Sequence, residues 1–419
     1  MTRKHSKLPK RGRSQRLCPL TGAVLILLPT GALAQVSGPF IGIAPRAAPG
    51  ASRGGDQFSV TPALTTVYDS NVLRLNSIRS GSAARDDVRV TPALTLNIRQ
   101  GFARNTVSLS GDLGYDFYRR FKGLQRLRTN LNAGAGIPLG ARCEVSPSAS
   151  LLIQQAEIED LGVAVGRTAR VFAGQVTARC PRTVGFYPVV RADALRLTNS
   201  GGDNGLGRRN WSATGGIVYA RPSLGQVQLF ANTGQFRRSS TVGGPDTGAD
   251  IASIGLQFDR AITSRFAARL SVAGVRVSPT RRLAGRFEGT TYSAEVRIAP
   301  FPSFILSPRV SRQFIGSINA GSDYVLSREV GLGLNWSIGA RAGIVAQIGK
   351  INRRYFGEDP LIRPQLRIAD QTNAGNVGVR YTLRSLRLQL GVSRSERDSR
   401  NDFYDFDSTR VEFSARAGF

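Results

Sequence analysis

Histidine is almost absent from this chain of 419 residues, the single example being His5. Cysteine is nearly as scarce, at three residues, and methionine occurs once. Acids are few, with 28 Asp and Glu against 57 Lys and Arg. After Gln35 there is no run of 18 apolar residues, which excludes helices that cross a bilayer. Each shortage removes a class of function. Once His5 leaves with the N-terminal leader described below, no imidazole is left to serve a serine nucleophile or most metals. Neither an enzyme nor a bound cofactor or metal is therefore expected. The basic excess could neutralise phosphates on nucleic acid. The arginines, however, are scattered along the strands rather than clustered on one face, and the chain carries an export signal, so nucleic acid is not expected as a partner.

The first residues are basic and contain no acid: Arg3, Lys4, Lys7, Lys10, Arg11, Arg13 and Arg16. An apolar segment from Leu20 to Leu33 follows and closes on Ala32-Leu33-Ala34 before Gln35. Broken by Pro and Gly, it falls short of the roughly 20 residues of a spanning helix. This is the layout of a secretory signal peptide with an A-x-A cleavage site, so residues 1–34 read as a signal peptide. Cys18 precedes the apolar segment and is not placed as a lipoprotein cysteine. Removing the leader leaves 50 basic residues and 28 acids, a net charge of +22. Residues 35–55, rich in Gly, Pro, Ala and Ser without periodicity, read as a flexible periplasmic segment.

What the chain has from Asp56 onward is alternation. Val88, Val90, Leu94, Leu96 and Ile98 stand against Arg89, Thr91, Thr95, Asn97 and Arg99. The same pattern recurs at 107–117, 127–137, 330–338, 377–383 and 386–392. Period two with one apolar and one polar face is a β-strand, and 47 Gly with 41 % hydrophobic residues suit strands and turns. The segments are long for a soluble sheet, and their polar faces carry full charges. Tight turns such as Gln100-Gly101-Phe102, Pro138-Leu139-Gly140-Ala141 and Arg384-Ser385 alternate with polar loops at 69–86, 239–248 and 354–371, with a short exception near Lys122-Gly123. Residues 56–419 are therefore expected to form an all-β fold, a transmembrane antiparallel up-and-down β-barrel of about 18 strands (range 16–18), in the outer membrane. Phe186, Tyr219, Phe301, Phe304, Trp336 and Phe419 are expected in an aromatic girdle on the short-turn side, and Tyr115, Phe117, Trp211, Tyr292 and Phe314 in one on the long-loop side.

The last segment alternates as Val411, Phe413, Ala415, Ala417 and Phe419. It resembles the terminal strand of bacterial outer-membrane barrels, whose final Phe is an assembly signal. The resemblance implies recognition of Phe419 by the barrel-assembly machinery. Earlier in the chain, Tyr68-Asp69-Ser70-Asn71-Val72-Leu73-Arg74 resembles the "Y-D-D/S-N-V-hydrophobic-R" signature of the beta-barrel porin 2 family of proteobacterial outer-membrane proteins. That resemblance implies an outer-membrane barrel of unassigned substrate without catalytic residues, some members being associated with exopolysaccharide export.

The same alternation assigns an inward face. It places Arg89, Arg99, Arg128, Arg191, Arg269, Arg297, Arg309, Arg380, Arg387 and Arg416 there, with Asp112, Asp116, Glu144, Asp193, Glu295, Glu329 and Glu412 as partners. Barrels of 16 to 18 strands leave an aqueous channel, and an arginine excess on its wall favours anions. The expected function is a porin-like channel for passive diffusion of small hydrophilic, anionic solutes. The alternative is an outer-membrane conduit component of an exopolysaccharide export system, for which inward aromatics such as Tyr118, Phe230, Phe403 and Tyr404 would stack sugars. Expected partners are the outer membrane with its lipopolysaccharide and, depending on the reading, further copies of the chain or a periplasmic export partner. Cys143 and Cys180 would lie opposite each other at the periplasmic rim if their strands pair about residues 161 to 162, either bonded or as two free thiols. Glu396, Asp398, Asp402, Asp405 and Asp407 form an acidic stretch that is either solvated or bridged by divalent ions.

Overall fold

The computed structural model of the protein describes residues 56–76, 85–158, 163–200, 207–238, 247–261, 263, 265–280, 286–316, 324–356 and 369–418. The signal peptide, the segment 35–55 and Phe419 lie outside them. Eighteen strands occur in chain order. The first six are β1 (Gln57–Asp69), β2 (Asp87–Phe102), β3 (Asn105–Tyr118), β4 (Arg126–Leu139), β5 (Cys143–Ile158) and β6 (Val163–Arg179). Next come β7 (Gly185–Ser200), β8 (Arg208–Arg221), β9 (Gly225–Arg238), β10 (Thr247–Ala261), β11 (Phe266–Pro279) and β12 (Phe287–Phe301). The last are β13 (Phe304–Gly316), β14 (Tyr324–Ile338), β15 (Ala342–Phe356), β16 (Ala369–Leu383), β17 (Leu386–Ser399) and β18 (Phe406–Ala417). Each pairs antiparallel with its sequence neighbours, and β1 also pairs with β18, so the sheet closes and has no free long edge.

Turns follow the expected asymmetry. The hairpins after the even strands are tight, only Ala103-Arg104 and Arg384-Ser385 separating β2 from β3 and β16 from β17. Gly140 and Gly339 take φ +64° in two others, the left-handed conformation that glycine adopts at no steric cost. On the opposite side the connections reach 70–86 and 357–368. One expectation needs correcting there. β6 begins at Val163, so the connection after β5 is only 159–162 and is not a long loop.

Pairing register gives the two faces. Ile217, Leu229, Leu256, Val272 and Tyr292 are successive cross-strand partners from β8 to β12, and all five are exposed. One residue along, the opposite face reads Gln228, Gln257, Ser271, Ser293, Ser311 and Glu329. A soluble protein would bury the first row; a closed barrel that shows it outward presents it to lipid. Phe186, Phe301 and Trp336 lie exposed on the short-turn side, and Tyr115, Phe117, Trp211 and Tyr292 on the long-loop side. Phe314 does not join them. It is 2 % exposed and packs between Phe287 and Tyr324, with ring centroids 4.7 and 5.9 Å away, in an apolar cluster that includes Phe236, Ile251 and Val277.

Candidate functional site

Because side chains alternate strictly, the inward face follows from the outward one. The register puts all ten arginines named above opposite the exposed apolar residues. Arg89 and Arg99, for example, lie on the face opposite Leu94 of β2, and Arg380 alternates with Val379 and Tyr381 on β16. Their surroundings differ. Arg191 Nη2 lies 2.6 Å from Asp193 Oδ1, Arg269 Nη2 2.8 Å from Asp259 Oδ2, Arg309 Nε 2.9 Å from Glu329 Oε1, and Arg89 Nε 3.7 Å from Asp116 Oδ1. Arg380 donates to Asn335 Oδ1 at 3.1 Å and Ser337 Oγ at 3.2 Å, both uncharged. Among the described residues the side chains of Arg99, Arg128, Arg297, Arg387 and Arg416 make no hydrogen bond or ion pair.

Two of these five form a distinctive pair. Arg387 on β17 and Arg416 on β18 are direct cross-strand partners near the short-turn end. Like charges set opposite each other repel. Glu412, on the same inward face of β18, acts electrostatically on Arg416 as well as on Arg89 and Arg128. Of the other expected acids, Asp112 accepts from Thr95 Oγ1 at 2.5 Å, Glu144 pairs with Arg179 at the short-turn rim, and Glu295 sits between Arg269 and Arg309 in the register.

The opposite end of the same seam is built differently. Within Tyr68–Arg74, read from sequence as a family cue, the residues Asp69, Asn71 and Arg74 form a buried polar knot, while Tyr68 is exposed. Asp69 Oδ1 accepts from Ser408 Oγ (2.7 Å) and the Asn71 backbone N–H (2.9 Å). Asp69 Oδ2 accepts from Arg410 Nε at 2.7 Å and Arg74 Nη2 at 3.2 Å. Asn71, 1 % exposed, donates from Nδ2 to the Leu75 and Asp407 carbonyls at 2.7 and 2.9 Å. The guanidinium groups of Arg74 and Arg397 lie 5.3 and 5.0 Å from the Phe406 ring centroid. Arg74 sits at φ 55°, which a non-glycine residue holds only when its surroundings enforce it. Pairing between β1 and β18 runs only from Ala63 opposite Arg416 to Asp69 opposite Arg410, so the knot caps a short ladder. The sequence signal for it was a run of Asp, Ser and Asn at a strand end, where short polar side chains bond neighbouring backbone.

Cys143 and Cys180 continue the β5–β6 register beyond Glu144 and Arg179 and are bonded in the structure, with Cα atoms 3.9 Å apart. Three of the four inward aromatics are not available for stacking sugars. Tyr118 is buried with its hydroxyl donating to Gln155 Oε1 at 2.9 Å, and Phe230 and Tyr404 are buried as well; the Phe403 side chain lies outside the described residues. Nor do the acids of the last long-side connection converge. Among the described residues no three carboxylates come together in a geometry that could hold a metal, and Asp405 Oδ1 instead accepts the Ser399 N–H at 2.6 Å.

No family model matches the chain, and no curated relative matches it, so the family resemblance stays with residues 68–74. Solved structures resemble it in architecture. Acinetobacter baumannii OccAB3 is 11 % identical, with a TM-score of 0.45 over 87 % of this chain and 100 % of its own. Pseudomonas aeruginosa OccK9 (OpdG) is 14 % identical, with a TM-score of 0.47 over 87 % and 99 %. Pseudomonas aeruginosa OccK2 (OpdF), in complex with glucuronate, is 12 % identical, with a TM-score of 0.45 over 88 % and 100 %. Likeness at this level says nothing of what this barrel passes. The closed sheet and its exposed apolar band stand without it. The chain is a closed β-barrel of 18 antiparallel strands with an exposed apolar band.

Proposed function

We propose that the barrel is a porin-like channel of the beta-barrel porin 2 type, through which small hydrophilic solutes diffuse with a preference for anions. The observation that carries this reading is the pair Arg387 and Arg416, opposed across β17 and β18 with no ion pair among the described residues. A guanidinium that has no carboxylate partner keeps its charge for whatever passes, because arginine does not deprotonate in proteins. Where Arg191 or Arg269 is neutralised locally, this pair contributes an uncompensated positive potential to the wall. The polar inward rows of Gln, Ser and Thr suit water and small solutes. Nothing among the described residues favours a sugar-stacking conduit, since the aromatic side chains that would distinguish it are buried.

The test is conductance of the purified mature protein in planar bilayers under a potassium chloride gradient. The expected result is a stable open channel whose reversal potential reports chloride passing more readily than potassium. A cation preference would overturn the anion reading, and a closed barrel would overturn the passive channel in favour of a partner-dependent exporter.

A further inference from the structure

The outward face carries a second basic feature that the transport reading does not use. On β7, β8 and β9, Arg196 pairs with Arg209 and Arg209 with Arg237, so three arginines oppose one another directly across three adjacent strands. Direct partners have Cβ atoms about 5 Å apart, and like charges in that position destabilise a sheet. Arg237 is relieved by Asp250, whose Oδ1 lies 2.5 Å from its Nη2. Arg196 and Arg209 are exposed and have no hydrogen bond or ion pair among the described residues, and the same holds for Arg170 on β6.

The row has a definite height on the barrel. Arg196 is the cross-strand partner of Phe172, and Trp211 lies two residues from Arg209 on the same outward face; both aromatics are exposed. Toward the short turns these strands show Ile217 and Leu229, and toward the long side they end. Arg196 therefore stands level with Phe172 and Arg209 one step above Trp211, at the boundary between the lipid band and the long-loop side. In an outer-membrane barrel that side faces outward, where the leaflet is made of phosphorylated glycolipid. A row of repelling guanidinium groups beside an aromatic belt needs an anion at the headgroup level. Arginine is the residue suited to phosphate, because its planar fork donates two parallel hydrogen bonds.

We propose that Arg196, Arg209 and Arg170 form a binding site for the phosphate groups of lipopolysaccharide, with Phe172 and Trp211 against the acyl boundary. The lipid phosphate supplies the negative charge that the protein leaves out, and it is bound by the outer wall instead of the lumen. Nothing in this assignment depends on which solute the channel passes.

Trp211 is a built-in reporter, because Trp336 is the only other tryptophan. The experiment uses the folded mature protein carrying Trp336→Phe, titrated in detergent with lipopolysaccharide while Trp211 emission is followed. The expected result is a saturable change that weakens with added sodium chloride and is lost with enzymatically dephosphorylated lipid. In an added Arg196→Gln/Arg209→Gln background, binding falls roughly tenfold or more. Equal binding by that variant overturns the proposal, as does equal binding of the dephosphorylated lipid. Inorganic phosphate alone producing the same emission change would show a free-anion site and also overturn it. If the glutamine variant does not fold, the salt dependence with unaltered arginines decides, since salt-independent binding rules out a phosphate contact.

Discussion

The two ends of the β1–β18 seam use the same residue type in opposite ways. At the long-loop end Arg74 and Arg410 both converge on Asp69, and Ser408 and the Asn71 N–H satisfy its remaining oxygen sites. Toward the short-turn end Arg416 faces Arg387 and finds no carboxylate of its own. Paired, an arginine braces the wall and is silent to a passing ion. Unpaired, it leaves a field in the water beside it. The number of arginines on the inward face therefore says less about selectivity than which of them the acids neutralise.

The largest expected effect comes from breaking the braced end. Asp69→Asn leaves Arg74 and Arg410 without their shared counter-charge in a poorly solvated site, and removing one partner of such a network costs about 3 kcal/mol or more. It should appear as a lower urea midpoint of the folded barrel in detergent. An unaltered midpoint would show that the knot does not stabilise closure. Next in size, opening the Cys143–Cys180 bond in Cys143→Ser/Cys180→Ser is expected to cost about 2–3 kcal/mol in the same assay. Intact mass should first show the unreduced protein lighter by two hydrogens than the reduced one, and equal masses would leave two thiols and no such loss.

A smaller effect follows from making the open end resemble the braced one. Arg416→Glu places an acid opposite Arg387, and chloride preference should fall roughly fivefold, a change on the order of 1 kcal/mol, read from the reversal potential. No shift would remove the pair from the selectivity account. The smallest is the response to pH. The chain after Gln35 has no histidine, and its only lysines are Lys122 and Lys350, so the positive wall is arginine throughout. Selectivity should stay flat between about pH 6 and pH 9, because guanidinium groups do not titrate there. A midpoint inside that window would point to a group other than the arginines.

The strands were legible because each carries its own evidence. Alternation of Val88 to Arg99, or of Leu386 to Ser393, needs no knowledge of the partner strand, and turn residues marked where each pair reverses. The same local rule placed the inward arginines without naming their partners. Partners are where sequence reading stopped. Asp69 meets Arg410 across 341 positions, and no local pattern distinguishes that arginine from Arg416, six residues on. Phe314 misled for a related reason. Its position near a strand end suits a girdle, yet neighbouring rings from β12, β14 and β15 enclose it.

By itself the sequence determined the period of two, the tight turns on one side and the apolar band, since each is a property of a few consecutive residues. Only the tertiary structure decided that the sheet closes β1 on β18, that the stretch 68–74 is a knot on that seam, and which arginines are neutralised. The physical reason is range. Backbone geometry repeats every two residues, whereas charge acts through space and answers to whichever strand the closure brings alongside.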